Sequence, residues 1–229
     1  MVDRLILWDV DGTLLSTDGI AAEAMRLAIR EVVGERAPLE RTHYAGKTDW
    51  QIIRESLPSL SPDEIAERLH EFTAAYLSRL EGRRDDLVAC SRVFPGVVQA
   101  LEALAGAARQ APLTGNIAAV ARLKLECVGL LPFLDLDAGA YGDDHHDRPA
   151  LVPVAARRAA ARYGRSFAGR QIVVVGDTPH DIRCGQANGA RTVAVATGPY
   201  SLDELLALGP DAALPDLRDT DAVVAAVLG

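Results

Sequence analysis

Short runs of apolar and β-branched residues recur along the chain at Leu5–Trp8, Ala111–Thr114, Leu136–Ala140, Ile172–Val175 and Thr192–Ala196. Each run is apolar throughout rather than alternating, which suits strands covered on both faces, and helical patterns lie between them. The pattern predicts an α/β chain with a doubly wound, mostly parallel sheet, and a weaker last strand at Ala212–Leu214. Residues 9–110 separate the first two runs, far more than the ~30 residues of a simple strand–helix–strand unit. An inserted domain accounts for the excess. It reads as helical, because Ile20–Val33 has apolar positions at helical spacing and both Thr48-Asp49-Trp50-Gln51 and Ser61-Pro62-Asp63-Glu64 have the capping-box form. Gly34 and Pro38 punctuate the first of these helices and Pro58 the second. The expected division is a core of residues 1–15 and 92–229 and a helical insert of residues 16–91, with the chain re-entering the core near Phe94-Pro95-Gly96.

Composition narrows the function classes. The 229 residues are 49% hydrophobic and 24% charged, an ordinary globular balance, and 24 basic against 32 acidic residues leave a net charge of −8. No basic field gathers nucleic acid, so none is expected as a partner. The longest apolar run, Ala222–Leu228, falls well short of the ~18 to 20 residues that span a bilayer. No membrane role is expected, and with no basic stretch and long apolar run at the N-terminus the reading is cytoplasmic. Cys90, Cys127 and Cys184 are too few and too widely spaced for a disulfide framework or a zinc cage, and read as reduced packing residues. Only two of the basic residues are lysines, Lys47 and Lys124.

Candidate chemistry gathers at strand ends. Asp9 and Asp11, in Asp9-Val10-Asp11-Gly12-Thr13, are two apart in extended chain and so project to the same side at the carboxyl edge of the first strand, where open α/β sheets bind ligands. Gly12 lets the backbone turn and Thr13 can hydrogen-bond locally. After Ile172–Val175 comes Gly176-Asp177-Thr178-Pro179-His180-Asp181, in which Thr178 and Pro179 start a helix and hold Asp177 and Asp181 beside the same edge. If the two strands are neighbours, these carboxylates crowd together and require a hard cation, for which Mg²⁺ is suited. Thr114-Gly115-Asn116, just before a helix start at Ile117, offers a hydroxyl and backbone N–H groups to a phosphate.

In this order the motifs resemble those of the haloacid dehalogenase (HAD) superfamily, in its phosphoglycolate phosphatase-like branch, with a HAD-like Rossmannoid core and the insert as a helical cap domain. The resemblance runs over essentially the whole chain and includes Phe94-Pro95-Gly96, Leu123-Lys124-Leu125, Gly129-Leu130 and Phe133-Leu134-Asp135. It implies a phosphatase acting on a small phosphorylated metabolite: Asp9 as nucleophile forming an aspartyl-phosphate, Asp11 as acid and then base, and Thr114 with Gly115, Asn116, Gly12 and Thr13 around the phosphoryl group. It also implies Mg²⁺ held by Asp9, the backbone carbonyl of Asp11, Asp177 and Asp181. One departure stands out. Where the family has a lysine, often followed by proline, this chain has Arg148-Pro149, so Arg148 is the expected catalytic cation. Lys124 reads as structural. Lys47, in the cap, is placed over the active site as a substrate-binding residue, and it keeps open a phosphonoacetaldehyde hydrolase-like alternative through a Schiff base. A sugar phosphomutase on the same fold is a further alternative, and a non-catalytic phosphate-binding module a third. Asp143, Asp144, His145, His146 and Asp147 form a polar cluster read as solvated or supporting rather than as a second metal site.

Overall fold

The structure is a computed structural model that describes residues 4–34, 39 and 42–229. Its main sheet holds five parallel strands in the order β4-β1-β5-β6-β7. They are β1 (Arg4–Trp8), β4 (Ala108–Pro112), β5 (Ile172–Gly176), β6 (Arg191–Val195) and β7 (Ala212–Leu214), while β2 (Leu15–Ser16) and β3 (Arg92–Val93) form a separate antiparallel pair. Alternate residues of the strands enter opposite layers, as parallel pleating requires. Ile6, Trp8, Val173, Val175, Val193 and Val195 pack with α6 (Val97–Leu104) and α11 (Thr220–Leu228) on one face. Leu5, Leu7, Ile172 and Val174 pack with α8 (Leu151–Tyr163) and with Cys184 of α9 (Pro179–Ala187) on the other. The last helix before the C-terminal one, α10 (Leu202–Leu206), buries Leu205 in a small cluster beside β6.

Between β2 and β3 the described residues form five helices: α1 (Ile20–Val33), α2 (Asp49–Ser56), α3 (Pro62–Glu67), α4 (Leu69–Glu81) and α5 (Arg84–Cys90). Both expected capping boxes are present, Thr48 with Gln51 on α2 and Ser61 with Glu64 on α3. Gly34 closes α1, whereas Pro38 lies outside the described residues. These helices bury a cluster of their own, including Met25, Ile53, Phe72 and Leu80, and it is completed by Ile117, Val120 and Leu123 at and along α7 (Ala118–Cys127). Thus α7 serves two partners, the sheet and the inserted helices.

Two strand expectations need correction. Leu136–Ala140 is not a strand: Leu136–Ala138 is a 3₁₀ turn in which the Asp135 carboxylate accepts from Asp137 N, and only Ala140 bridges to Leu113. Pro112 contributes a carbonyl but no N–H along this edge, so no regular ladder extends outward from β4. The second run begins earlier than its apolar residues suggest, because Gln110 is buried inside β4. Its amide donates to Leu101 O at 2.8 Å and its carbonyl accepts from Trp8 Nε1 at 3.0 Å, which satisfies the polar group. The three cysteines are free; Cys184 is buried, whereas Cys90 is exposed and does no packing.

Candidate active site

The carboxyl edge of the sheet is where the local geometry concentrates charge. Asp9 extends the β1–β5 pairing by one residue, its N–H donating to Val175 O at 2.9 Å, and the chain then turns as Leu14 N and Leu15 N donate back to Val10 O. Gly12 makes that turn at φ +91°, and a Cβ there would lie 2.4 Å from Asp177 Oδ2. A Cβ on Gly198, in the loop after β6, would lie 1.7 Å from the same oxygen. The Asp177 carboxylate therefore sits between two positions that only glycine can fill.

Asp9, Asp177 and Asp181 are buried and each offers an oxygen, all within 4.8 Å of one another. Thr13 donates to Asp177 Oδ1 at 2.9 Å and more weakly to Asp9 Oδ2 at 3.4 Å. Asp181 Oδ2 accepts from Thr178 N and Oγ1 at 3.0 and 2.6 Å, so the cap of α9 also aims its other oxygen at the site. That oxygen and Asp9 Oδ1 both accept from Arg148 Nη2, at 2.6 and 2.5 Å, while Nη1 donates to Gly46 O at 3.1 Å. Arg148 comes from the 3₁₀ turn Arg148–Ala150 before α8 and is itself buried. Three carboxylates thus face one guanidinium, and Asp177 Oδ2 is buried with no hydrogen-bond partner.

The electrostatics follow. Burial, then the neighbouring Asp181, pushes the Asp9 carboxyl up to about 7 despite Arg148. Burial and the charges of Asp9 and Asp181 push Asp177 well above the usual carboxylate range. Burial opposes the charge on Arg148, but Asp181 and Asp9 outweigh it and raise its pKa further. A site that raises acid pKa values in this way holds either protons or a cation, and an oxygen-only, carboxylate-rich donor set with an orphaned oxygen fits a hard divalent ion.

Asp11 is arranged differently. It is partly exposed, and its Oδ2 accepts from Lys124 Nζ at 2.7 Å and Asn116 Nδ2 at 2.6 Å. Lys124 is buried and also donates to Asn116 Oδ1 at 2.7 Å, so its assignment as merely structural is overturned: it reaches the cleft. A signal existed in the sequence, since Lys124 is four residues after Val120 on an otherwise buried helix face and is one of two lysines.

Part of the expected cradle after β4 is taken up by the protein itself. Thr114 Oγ1 accepts from Asn116 N and Nδ2, at 3.2 and 2.8 Å. Ile117 N donates to Asp49 Oδ2 at 2.9 Å and Ala118 N to Asp143 Oδ1 at 3.0 Å. The N–H groups of Asn116, Ile117 and Ala118 are thus claimed by the protein's own acceptors, because carboxylates from α2 and from the Asp143 loop reach the positive end of α7 first. Asp49 was not foreseen; only its place beside Thr48 on a capping box was visible. Burial, offset in part by Lys124, pushes its carboxyl up to about 7.

A cleft of about 510 Å³ opens over these groups. Asp9, Asp11, Gly12, Thr114, Gly115, Asn116, Lys47, Arg148 and Asp177 line it, while Thr13 and Asp181 sit buried behind the wall. Lys47 lines the cleft but its ammonium donates to Glu55 and, at 3.1 Å, to Thr42 Oγ1. Within the Asp143–Asp147 cluster, Asp143 caps α7, Asp144 pairs with Arg158, and His145 stacks on His146 at 4.5 Å. Among the described residues, Asp9, Asp177 and Asp181 form the one group with metal-holding geometry. No helix among them is long and apolar enough to cross a membrane.

Comparison with known proteins agrees with this arrangement. A family model described as haloacid dehalogenase-like hydrolase matches residues 6–186. The chain is 30% identical to "Probable phosphatase IndB" of Dickeya dadantii, over 90% of this chain and 86% of that one. It is 25% identical to "Phosphoglycolate phosphatase" of Nitrosospira multiformis, over 96% and 95% of the two. A solved hydrolase from Pseudomonas syringae shares the fold with a TM-score of 0.70 at 20% identity, covering 97% of this chain and 98% of that one.

Proposed function

The chain belongs to the haloacid dehalogenase-like hydrolases, and from that premise we propose that it is a Mg²⁺-dependent phosphatase that hydrolyses a small phosphate monoester through a phosphorylated Asp9. The observation that carries this reading is the buried set Asp9, Asp177 and Asp181 facing a single guanidinium at the end of the cleft. Relatives named as phosphatases support the reaction class.

In this reading Asp9, Asp177, Asp181 and the backbone carbonyl of Asp11 hold the divalent ion, which supplies positive charge to the phosphoryl oxygens and keeps the carboxylates ionised. Asp9 Oδ2, left free of Arg148, attacks phosphorus in line. The P–O bond to the leaving group breaks, and Asp11 gives its proton to the departing oxygen. Asp11 then takes a proton from water, which attacks phosphorus and releases inorganic phosphate with Asp9 restored. Arg148 holds Asp9 by one oxygen, so the other is presented in one orientation, and Lys124 with Asn116 does the same for Asp11. Thr114 Oγ1 accepts from Asn116 N and Nδ2, which leaves its own O–H for a phosphoryl oxygen. The helical segment 16–91 acts as the cap that covers this chemistry and meets the leaving group. No observation favours the mutase or the Schiff-base alternative, and Lys47 is engaged by Glu55.

Turnover of p-nitrophenyl phosphate with added Mg²⁺, its loss with a chelator and its recovery on readdition are the expected results. Absence of turnover under both conditions sinks the reading.

A further inference from the structure

The half of the cleft beyond Asp11 carries information about the leaving group that the phosphoryl end does not. The proton donor for the leaving oxygen is Asp11, so the rest of the substrate lies on the Asp11 side. There the wall is formed by Met25 of α1, Asp49 and Ile52 of α2, Tyr76 of α4 and Tyr44. Met25, Ile52 and Tyr76 are apolar or aromatic and buried, and burial keeps the Tyr76 phenol neutral. Asp49 is the buried carboxyl of this wall.

Among the described residues, three cations that line the cleft, Arg148, Lys124 and Lys47, are already engaged. Arg148 serves Asp9 and Asp181, Lys124 serves Asp11 and Asn116, and Lys47 serves Glu55 and Thr42. Arg92 is exposed and lies 3.8 Å from Asp18. The remaining natural seat for an anion is the N-terminus of α7, and there the Asp49 carboxylate accepts from Ile117 N. A second anionic group on the substrate would therefore meet a carboxylate where it needs a cation.

We infer that the cleft selects phosphate monoesters whose leaving group is uncharged, bears hydroxyls for Asp49 and the tyrosines, and has an apolar face for Met25 and Ile52, the chemistry of a sugar or a nucleoside, and disfavours a second anionic group. This inference rests on the phosphatase reading above. It separates the chain from the relative named for phosphoglycolate, which is doubly anionic.

The test is a steady-state panel with the full chain and Mg²⁺, following released phosphate from a hexose phosphate, a nucleoside 5′-monophosphate, phosphoglycolate and pyrophosphate, with p-nitrophenyl phosphate as reference. At least one ester with an uncharged, hydroxylated leaving group is expected to exceed both competitors that carry a second anionic group in kcat/KM by about tenfold or more. Phosphoglycolate or pyrophosphate equal to or better than every such ester, with p-nitrophenyl phosphate still turned over, overturns the inference and leaves the phosphatase reading standing. Failure of every ester, the reference included, overturns both. In Asp49→Asn, whose amide oxygen still accepts from Ile117 N, the preference for uncharged leaving groups is expected to shrink about fivefold; a ratio that does not move, with circular dichroism unchanged, overturns the part given to Asp49.

Discussion

At the sheet edge, Asp9, Asp177 and Asp181 crowd around one guanidinium, and glycines at 12 and 198 leave the space that the Asp177 carboxylate occupies. Across the cleft, the wall from α1, α2 and α4 presents Met25, Ile52 and Tyr76 with the single carboxyl of Asp49, tied to the start of α7. The first region is costly to assemble, because buried charges of one sign are stable only with protons or a cation between them. The second is less costly, being apolar packing with one buried carboxyl that a backbone N–H holds. The difference teaches where change should be tolerated: on the proposed function, substitution at the edge is expected to remove chemistry, whereas substitution in the wall is expected to alter which ester is accepted.

The sharpest break of that contrast is Asp9→Asn, which is expected to lower kcat by about 10³-fold or more because it removes the proposed nucleophile. Circular dichroism alongside the assay should show the fold unchanged. Next comes Arg148→Met, expected to cost about 10²-fold in kcat/KM, with Arg148→Lys recovering part of the loss. Wild-type rates in Arg148→Met would remove the cation from the edge's chemistry. Lys124→Met should cost about tenfold, and more for an alkyl phosphate than for p-nitrophenyl phosphate, since a nitrophenolate leaves without a proton whereas an alkoxide needs one, which Asp11 is proposed to deliver.

Asp49 gives a smaller effect that reads stability. Its carboxyl is raised to about 7 in the folded protein from an ordinary value of 3.8, so the folded state holds the extra proton and loses stability as pH climbs through that interval. The melting temperature of wild type is thus expected to fall relative to Asp49→Asn between about pH 4 and 7 and to run parallel above it. Parallel melting curves throughout would mean that Asp49 does not titrate in this range. The smallest effect is expected at Lys47→Ala, under about twofold on ester hydrolysis, because its ion pair with Glu55 is partly exposed.

Much of the scaffold was legible. The helix Ile20–Val33, the capping boxes at Thr48 and Ser61, and the start of α9 at Thr178-Pro179 each depend on residues within one or two turns of one another, and the sequence displays all of those at once. The same holds for Asp9 and Asp177, whose positions follow from strand ends. The failures share a cause. Gln110 fell outside the expected run Ala111–Thr114 because its partners, Trp8 and Leu101, lie elsewhere in the chain, and the Leu136–Ala140 run looked apolar enough for a strand although Asp135 captures its backbone.

What the sequence determined by itself was most of the elements, their order, and the carboxylates carried to the sheet edge, since local backbone preference and burial period are properties of near neighbours. Only the tertiary structure decided the pairing of charges: Arg148 with Asp9 and Asp181, Lys124 with Asp11, and Asp49 with the N-terminus of α7. Charge pairing and desolvation depend on distances between groups far apart in the chain, and folding alone brings those distances to hydrogen-bond length.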